Sequence, residues 1–134
     1  MSASPALSPA SGREAIAGVV DPLWTRVRNE AEAVVRDEPQ LASFFVATIL
    51  NHPTLEAAVA HRVAARLGHA SLPAELVAHG FREAFEADPE LGRSVRADIA
   101  AVMDRDPATT RALEPVLYFK GFHALQAHRP AHWY

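Results

Sequence analysis

The sequence predicts an all-α fold: a compact bundle of about six helices, preceded by a disordered tail. Three observations carry this reading. Prolines recur where a new apolar pattern begins, and within each segment the apolar residues return at steps of three and four, which line one face of a helix. Nowhere does a period-two stretch or an Asn-Gly turn announce a strand or hairpin. Proline suits the first helical position because it has no N–H to leave unpaired and its φ is already helical. Asp21-Pro22, Glu38-Pro39, His52-Pro53, Leu72-Pro73, Asp88-Pro89 and Glu114-Pro115 are such starts.

Residues 1–20 read as a flexible amino-terminal tail and residues 21–134 as a single helical domain. The tail opens on Ser, Ala and Pro and lacks the basic start and apolar core of a signal peptide. Near its end Ala15, Ile16, Val19 and Val20 share one helical face. The first helix, Pro22 to about Arg36, buries Leu23, Trp24, Val27, Ala31, Val34 and Val35 and leaves Arg26, Arg28, Glu30 and Glu32 wet. The second, Pro39 to about Leu50, carries Leu41, Phe44, Phe45, Thr48 and Ile49, a broad face that predicts a central, well-buried helix. Asn51-His52-Pro53 ends it.

A third helix from near Thr54 presents Leu55, Val59, Val63 and Leu67, and Gly68 is placed to end it in a left-handed conformation. The fourth, about Pro73 to Ala87, offers Leu76, Val77, Phe81, Ala84 and Phe85, with Ser71 as cap and Gly80 admitting a close neighbour. Asp88 caps the fifth, Pro89 to about Met103, with Leu91, Val95, Ile99, Val102 and Met103 inside and Arg93, Arg96 and Asp98 outside. After a polar loop through Thr109 and Thr110, a last helix from about Pro115 to Arg129 carries Leu117, Tyr118, Phe122, Leu125 and Ala127. Pro130 disturbs its end.

Composition narrows the function classes. The chain has 134 residues, 49% hydrophobic and 22% charged, with 13 Lys and Arg against 16 Asp and Glu, a net charge of −3. A single domain of this size buries about two-thirds of its unfolded surface without metal or disulfide staples. The interspersed charge offers no basic stripe for a phosphate backbone, so no nucleic-acid partner is expected. The absence of cysteine excludes disulfide scaffolds, zinc ribbons and thiol chemistry, and suits a reducing cytoplasm. No membrane association is expected, since the longest apolar run, Phe44 to Leu50 with Thr48 inside it, falls far short of the ~20 residues of a spanning helix.

Few residues read as chemistry from spacing alone. His61, His69 and His79 stand apart from any carboxylate pair, and the spacing reads them as solvated or hydrogen-bonded side chains. His128 and His132 are four apart, a metal-ligand spacing on a continuous helix, but Pro130 lies between them, so no metal site is assigned. His123 sits on an apolar helix and reads as an orienting or packing residue. Asp104 and Asp106 flank Arg105 in a loop, where carboxylates can bind an ammonium or hydroxyl; Asp106 before Pro107 also has the position of a helix cap. Arg62 and Arg66, one turn apart, read as solvated surface.

Local sequence adds what periodicity cannot. Trp24 with Arg28, Glu30 and Ala31, Glu38-Pro39 with Leu41-Ala42-Ser43-Phe44, the stretch Ala47 to His52, and Ala87-Asp88-Pro89-Glu90 recur in one family. So do Asp98-Ile99-Ala100-Ala101-Val102 leading to Arg105-Asp106-Pro107-Ala108, and Leu117 to Ala127 followed by Arg129 and His132-Trp133. In order and spacing they cover nearly everything after Asp21, and the chain resembles the amino-terminal helical domain of serine O-acetyltransferase. That family transfers acetyl from acetyl-CoA to L-serine, giving O-acetylserine for cysteine biosynthesis.

The resemblance implies a second domain, a left-handed β-helix of hexapeptide repeats that supplies the acetyl-CoA groove and the catalytic histidine. Nothing up to Tyr134 reads as such a repeat, so the chain alone is expected to hold no catalytic residue, to bind no cofactor and to be inactive. Asp106 matches the family's aspartate that reaches into the serine site, and is the one substrate-binding residue the resemblance assigns. Lys120, Gly121, His123 and Trp133 are implied to lie on the helix leading into the missing domain. The family assembles as hexamers, trimers paired through the helical domain, so the domain alone would pair as a dimer and expose apolar surface where the β-helix docks. Its partner O-acetylserine sulfhydrylase is bound through a carboxyl tail not found here. The alternative is a stand-alone helical oligomerisation or interaction module without catalysis.

Overall fold

The computed structural model describes residues 21–68, 72–118, 123–124 and 126–128, and among these the fold is all-α. Helix α1 spans Pro22–Asp37. A 3₁₀ turn at Pro39–Leu41, the short helix α2 at Ala42–Phe45 and a π turn at Val46–Leu50 follow in succession. Then come α3 (Leu55–Leu67), α4 (Ala74–Ala87), α5 (Pro89–Arg105) and α6 (Leu113–Tyr118). Residues 123–124 and 126–128 are helical too. The tail, the cap expected of Ser71, and Pro130 lie outside the described residues.

Capping explains where helices begin. Asp21 accepts the Trp24 N–H at 3.3 Å, Thr54 accepts that of Ala57 at 3.1 Å, and Asp88 that of Glu90 at 3.0 Å. Each satisfies an amide that the first turn leaves without a helical partner. Three proline starts differ from expectation. Pro53 and Pro73 precede α3 and α4 instead of opening them, and α6 opens at Leu113, with Pro115 inside the first turn, where amides are still free.

The core draws Trp24, Val27 and Ala31 from α1, Leu55, Val59 and Val63 from α3, Phe81 and Phe85 from α4, Val95 and Ile99 from α5, and Leu113, Val116 and Leu117 from α6. The central helix is α3, not the Pro39–Leu50 segment. In α3 the small residues Ala57, Ala58, Ala60 and Ala64 are buried as well, which lets α4 pack close along it. Within Pro39–Leu50 only Phe45, Thr48 and Ile49 are buried; Phe44, expected inside, is exposed at the edge of the core, its ring edge-on to Phe45 and beneath Arg62. Leu67 and Leu76, expected inside, are also exposed.

Gly68 ends α3 for a different reason than predicted. Its φ of −65° and ψ of 144° are extended, with no left-handed turn. A Cβ there would lie 2.7 Å from the backbone of Ala74, so glycine is required by the close approach of α4.

Candidate functional site

Helix α5 must stop before Pro107, because a residue preceding proline is pushed out of the helical region. Asp106 accordingly adopts φ −114°, ψ 98°, while its N–H still closes the last turn on the Val102 carbonyl at 3.0 Å. The chain then turns: the Asp106 carbonyl accepts the Thr109 N–H at 3.0 Å. Asp106 Oδ1 accepts the Ala108 N–H at 3.0 Å, and Oδ2 accepts the Thr109 hydroxyl at 2.8 Å. The aspartate organises a turn and does not cap a following helix, since α6 begins only at Leu113. It is half-buried, whereas Asp104 and Arg105 are exposed. An ionised carboxylate offers about four lone-pair sites. Two are taken within the turn.

The loop is pinned from α1. Arg26 donates to the Thr110 carbonyl at 3.0 Å, Glu30 accepts the Leu113 N–H at 3.0 Å, and the two side chains pair with each other at 3.0 Å. Glu30 therefore takes the place of a local cap for α6. Thr109, predicted to be part of a polar loop, is buried beneath it.

A second polar centre joins α1, α3 and α5. Arg96 donates to Asp21 at 2.7 and 3.2 Å, to Glu56 at 2.9 and 3.2 Å, and to the Gly92 carbonyl at 2.9 Å. All five guanidinium N–H groups are used. Burial works against the charge of Arg96, but its bonds to Asp21 and Glu56 prevail and raise its pKa. A groove of about 790 Å³ runs beside this centre, lined in part by Trp24, Arg28, Pro53 and Phe85. Asp106 is not among its lining residues.

Several side chains expected in solvent are engaged instead. Arg28 lies over the Trp24 ring and donates to the Leu50 and His52 carbonyls at 3.0 and 3.2 Å. Arg62 lies over the Phe44 ring and donates to the Leu117 carbonyl at 3.0 Å. Asp98 accepts from the buried Gln126 at 2.6 Å. These pairings join residues far apart in the chain, which periodicity cannot see.

The histidines take structural places. His52 donates to the Ala47 carbonyl at 2.9 Å and its ring lies 4.8 Å from that of His61. Its pKa is lowered, by burial first, with His61 adding to the shift against the opposing Ala47 bond. His123 is buried, bonded to the Val116 carbonyl, and its pKa is lowered by burial. His79 lies 3.5 Å from Glu83, and His128 is exposed. Among the described residues no three His, Asp or Glu side chains converge on a metal-binding point. His69, Lys120, Gly121, His132 and Trp133 lie outside the described residues.

The family described as "Serine acetyltransferase, N-terminal" matches residues 23–127, a span that holds the Asp106 turn and all of the Arg96 centre except Asp21. The chain belongs to that family. The serine acetyltransferase of Salmonella typhimurium is 44% identical over 111 residues, covering 83% of this chain and 41% of the relative. The crystal structure of the Brucella abortus serine acetyltransferase superposes with a TM-score of 0.82 at 53% identity, covering 84% of this chain and 46% of that one. The same Brucella enzyme solved in complex with coenzyme A gives a TM-score of 0.81. This serine acetyltransferase N-terminal domain thus spans less than half the length of the relatives it matches. Among the described residues no helix is long and apolar enough to cross a membrane.

Proposed function

We propose that this domain works as the helical part of a cytoplasmic serine O-acetyltransferase and that Asp106 is its contribution to the serine site. The observation that carries the reading is the Arg105-Asp106-Pro107-Ala108 turn, which holds a half-buried carboxylate in one orientation on a loop anchored to α1. A carboxylate so placed attracts the substrate ammonium and accepts from its hydroxyl, aiming the oxygen at the thioester carbon. A base supplied by the remainder of the enzyme takes the hydroxyl proton. The new ester C–O bond forms, the C–S bond breaks, and coenzyme A leaves as the thiol. L-Serine and acetyl-CoA are the substrates of this reading. The exposed Phe44, Val46, Leu67, Leu72, Leu76 and Tyr118 support assembly into a homo-oligomer against further subunits or domains.

The test is thiol release from acetyl-CoA and L-serine. The 134-residue chain is compared with a chimera in which it replaces the matching part of the Brucella abortus enzyme. The expected result is a silent chain, an active chimera and loss of activity on Asp106→Ala. Activity that survives Asp106→Ala overturns the role of Asp106. A folded but silent chimera favours an interaction module.

A further inference from the structure

We propose that Thr109 is the positioning residue of the Asp106 carboxylate, an inference that rests on the serine-site reading of Asp106. The Thr109 side chain is buried, 6% exposed as a residue, and its single hydroxyl hydrogen is given to Asp106 Oδ2 at 2.8 Å. The other oxygen, Oδ1, is held by the Ala108 N–H at 3.0 Å. With both oxygens fixed the carboxylate cannot turn about its side-chain bonds, and its remaining lone pairs point in one direction before any ligand arrives. The next residue, Thr110, is tied to α1 through Arg26 at 3.0 Å, so the hydroxyl is itself on an anchored backbone. Without the hydroxyl, only the Ala108 amide, exposed to competition from water, restrains the carboxylate. A preorganised acceptor lowers the cost of orienting the substrate, and losing it weakens the serine step.

Two measurements test this. In the 134-residue chain, hydrogen exchange of the Ala108 amide should accelerate about tenfold in Thr109→Val and stay near the parent rate in Thr109→Ser. In the chimera with the Brucella abortus enzyme, Thr109→Val should raise KM for serine about tenfold with KM for acetyl-CoA unchanged, and Thr109→Ser should restore it. Unchanged Ala108 exchange in Thr109→Val, or equal effects of Val and Ser, overturns the proposal by showing that the hydroxyl does not hold the carboxylate. If Asp106→Ala impairs the chimera while Thr109→Val does not, the positioning role falls and the reading of Asp106 stands. If Asp106→Ala has no effect, that reading falls, and with it the positioning role.

Discussion

The Glu30 carboxylate on α1 accepts the backbone N–H of Leu113, 83 positions later, at 3.0 Å. A side chain from the first helix thus caps the last described full element and closes the bundle. Replacing Glu30 by Ala leaves a buried amide without its acceptor and releases Arg26 from its pair, and should cost about 1–3 kcal/mol. Glu30→Gln keeps an acceptor and should cost less. Urea unfolding of both variants checks the order; equal losses would mean that packing, and not the bond, is what matters.

The Arg96 centre should behave as one unit. Arg96→Met strands two partly buried carboxylates and should lower stability by about 2–4 kcal/mol. The neighbouring Gly92 offers a sharper check. A Cβ there falls inside the contact radius of Glu56 Oε2. Gly92→Ala should therefore be destabilising in the parent chain and less so, by about 1 kcal/mol, in a Glu56→Ala background, where helix propensity is opposed only by the Arg96 Nη1 contact at 3.2 Å. A double-mutant cycle without that relief would separate Gly92 from the ion pair.

At Gly68 the backbone is extended and free of strain, so alanine would ordinarily add about 0.4–1 kcal/mol by restricting the unfolded chain. The Ala74 backbone at 2.7 Å reverses this expectation. Gly68→Ala should destabilise by about 1–3 kcal/mol, because α3 and α4 must separate to admit one methyl group. A denaturant midpoint at or above that of the parent would show that the helix pair relaxes freely.

Burial depresses the pKa of His52 and of His123 below the ordinary imidazole value. The unfolded chain then binds more protons than the native one once pH drops below about 6.5, so stability rises with pH in that range. The contribution is complete above about 6.5 and is lost as pH falls through the unfolded value toward the folded ones. Thermal unfolding between about pH 5 and 7.5 should show this slope, and His52→Gln should reduce it while leaving the plateau above pH 7 little changed. A parent chain with a flat profile would contradict the assignment of these two rings as neutral in the fold.

Helix class and most helix starts were legible because they are local: Asp21, Thr54 and Asp88 cap within three residues of themselves. The Arg105-Asp106-Pro107-Ala108 motif was legible as a resemblance, and Pro107 foretells that the helix ends before it. What periodicity missed are couplings across the chain. Arg96 sits on the polar side of its helix, and nothing in its neighbours says that Asp21 and Glu56 will meet it from 75 and 40 positions away. Thr109 does lie in the loop expected of it, but periodicity carries no sign that it is buried there. Phe44 looked internal because it is apolar and adjoins Phe45, yet it is exposed at the edge of the core.

The π turn has a consequence for length. At Val46–Leu50 the Asn51 N–H reaches back five residues to the Val46 carbonyl, one more than in an ordinary helix. The segment therefore carries one residue more than a regular helix of the same span. Deleting one residue here would let the ladder close as an ordinary helix over the same span, so the parts on either side would keep their phase and the Leu50 and His52 carbonyls would still face Arg28. In an ordinary turn the same loss rotates everything beyond it by about 100°. Chain length is therefore less tightly set at this point than in the regular helices around it.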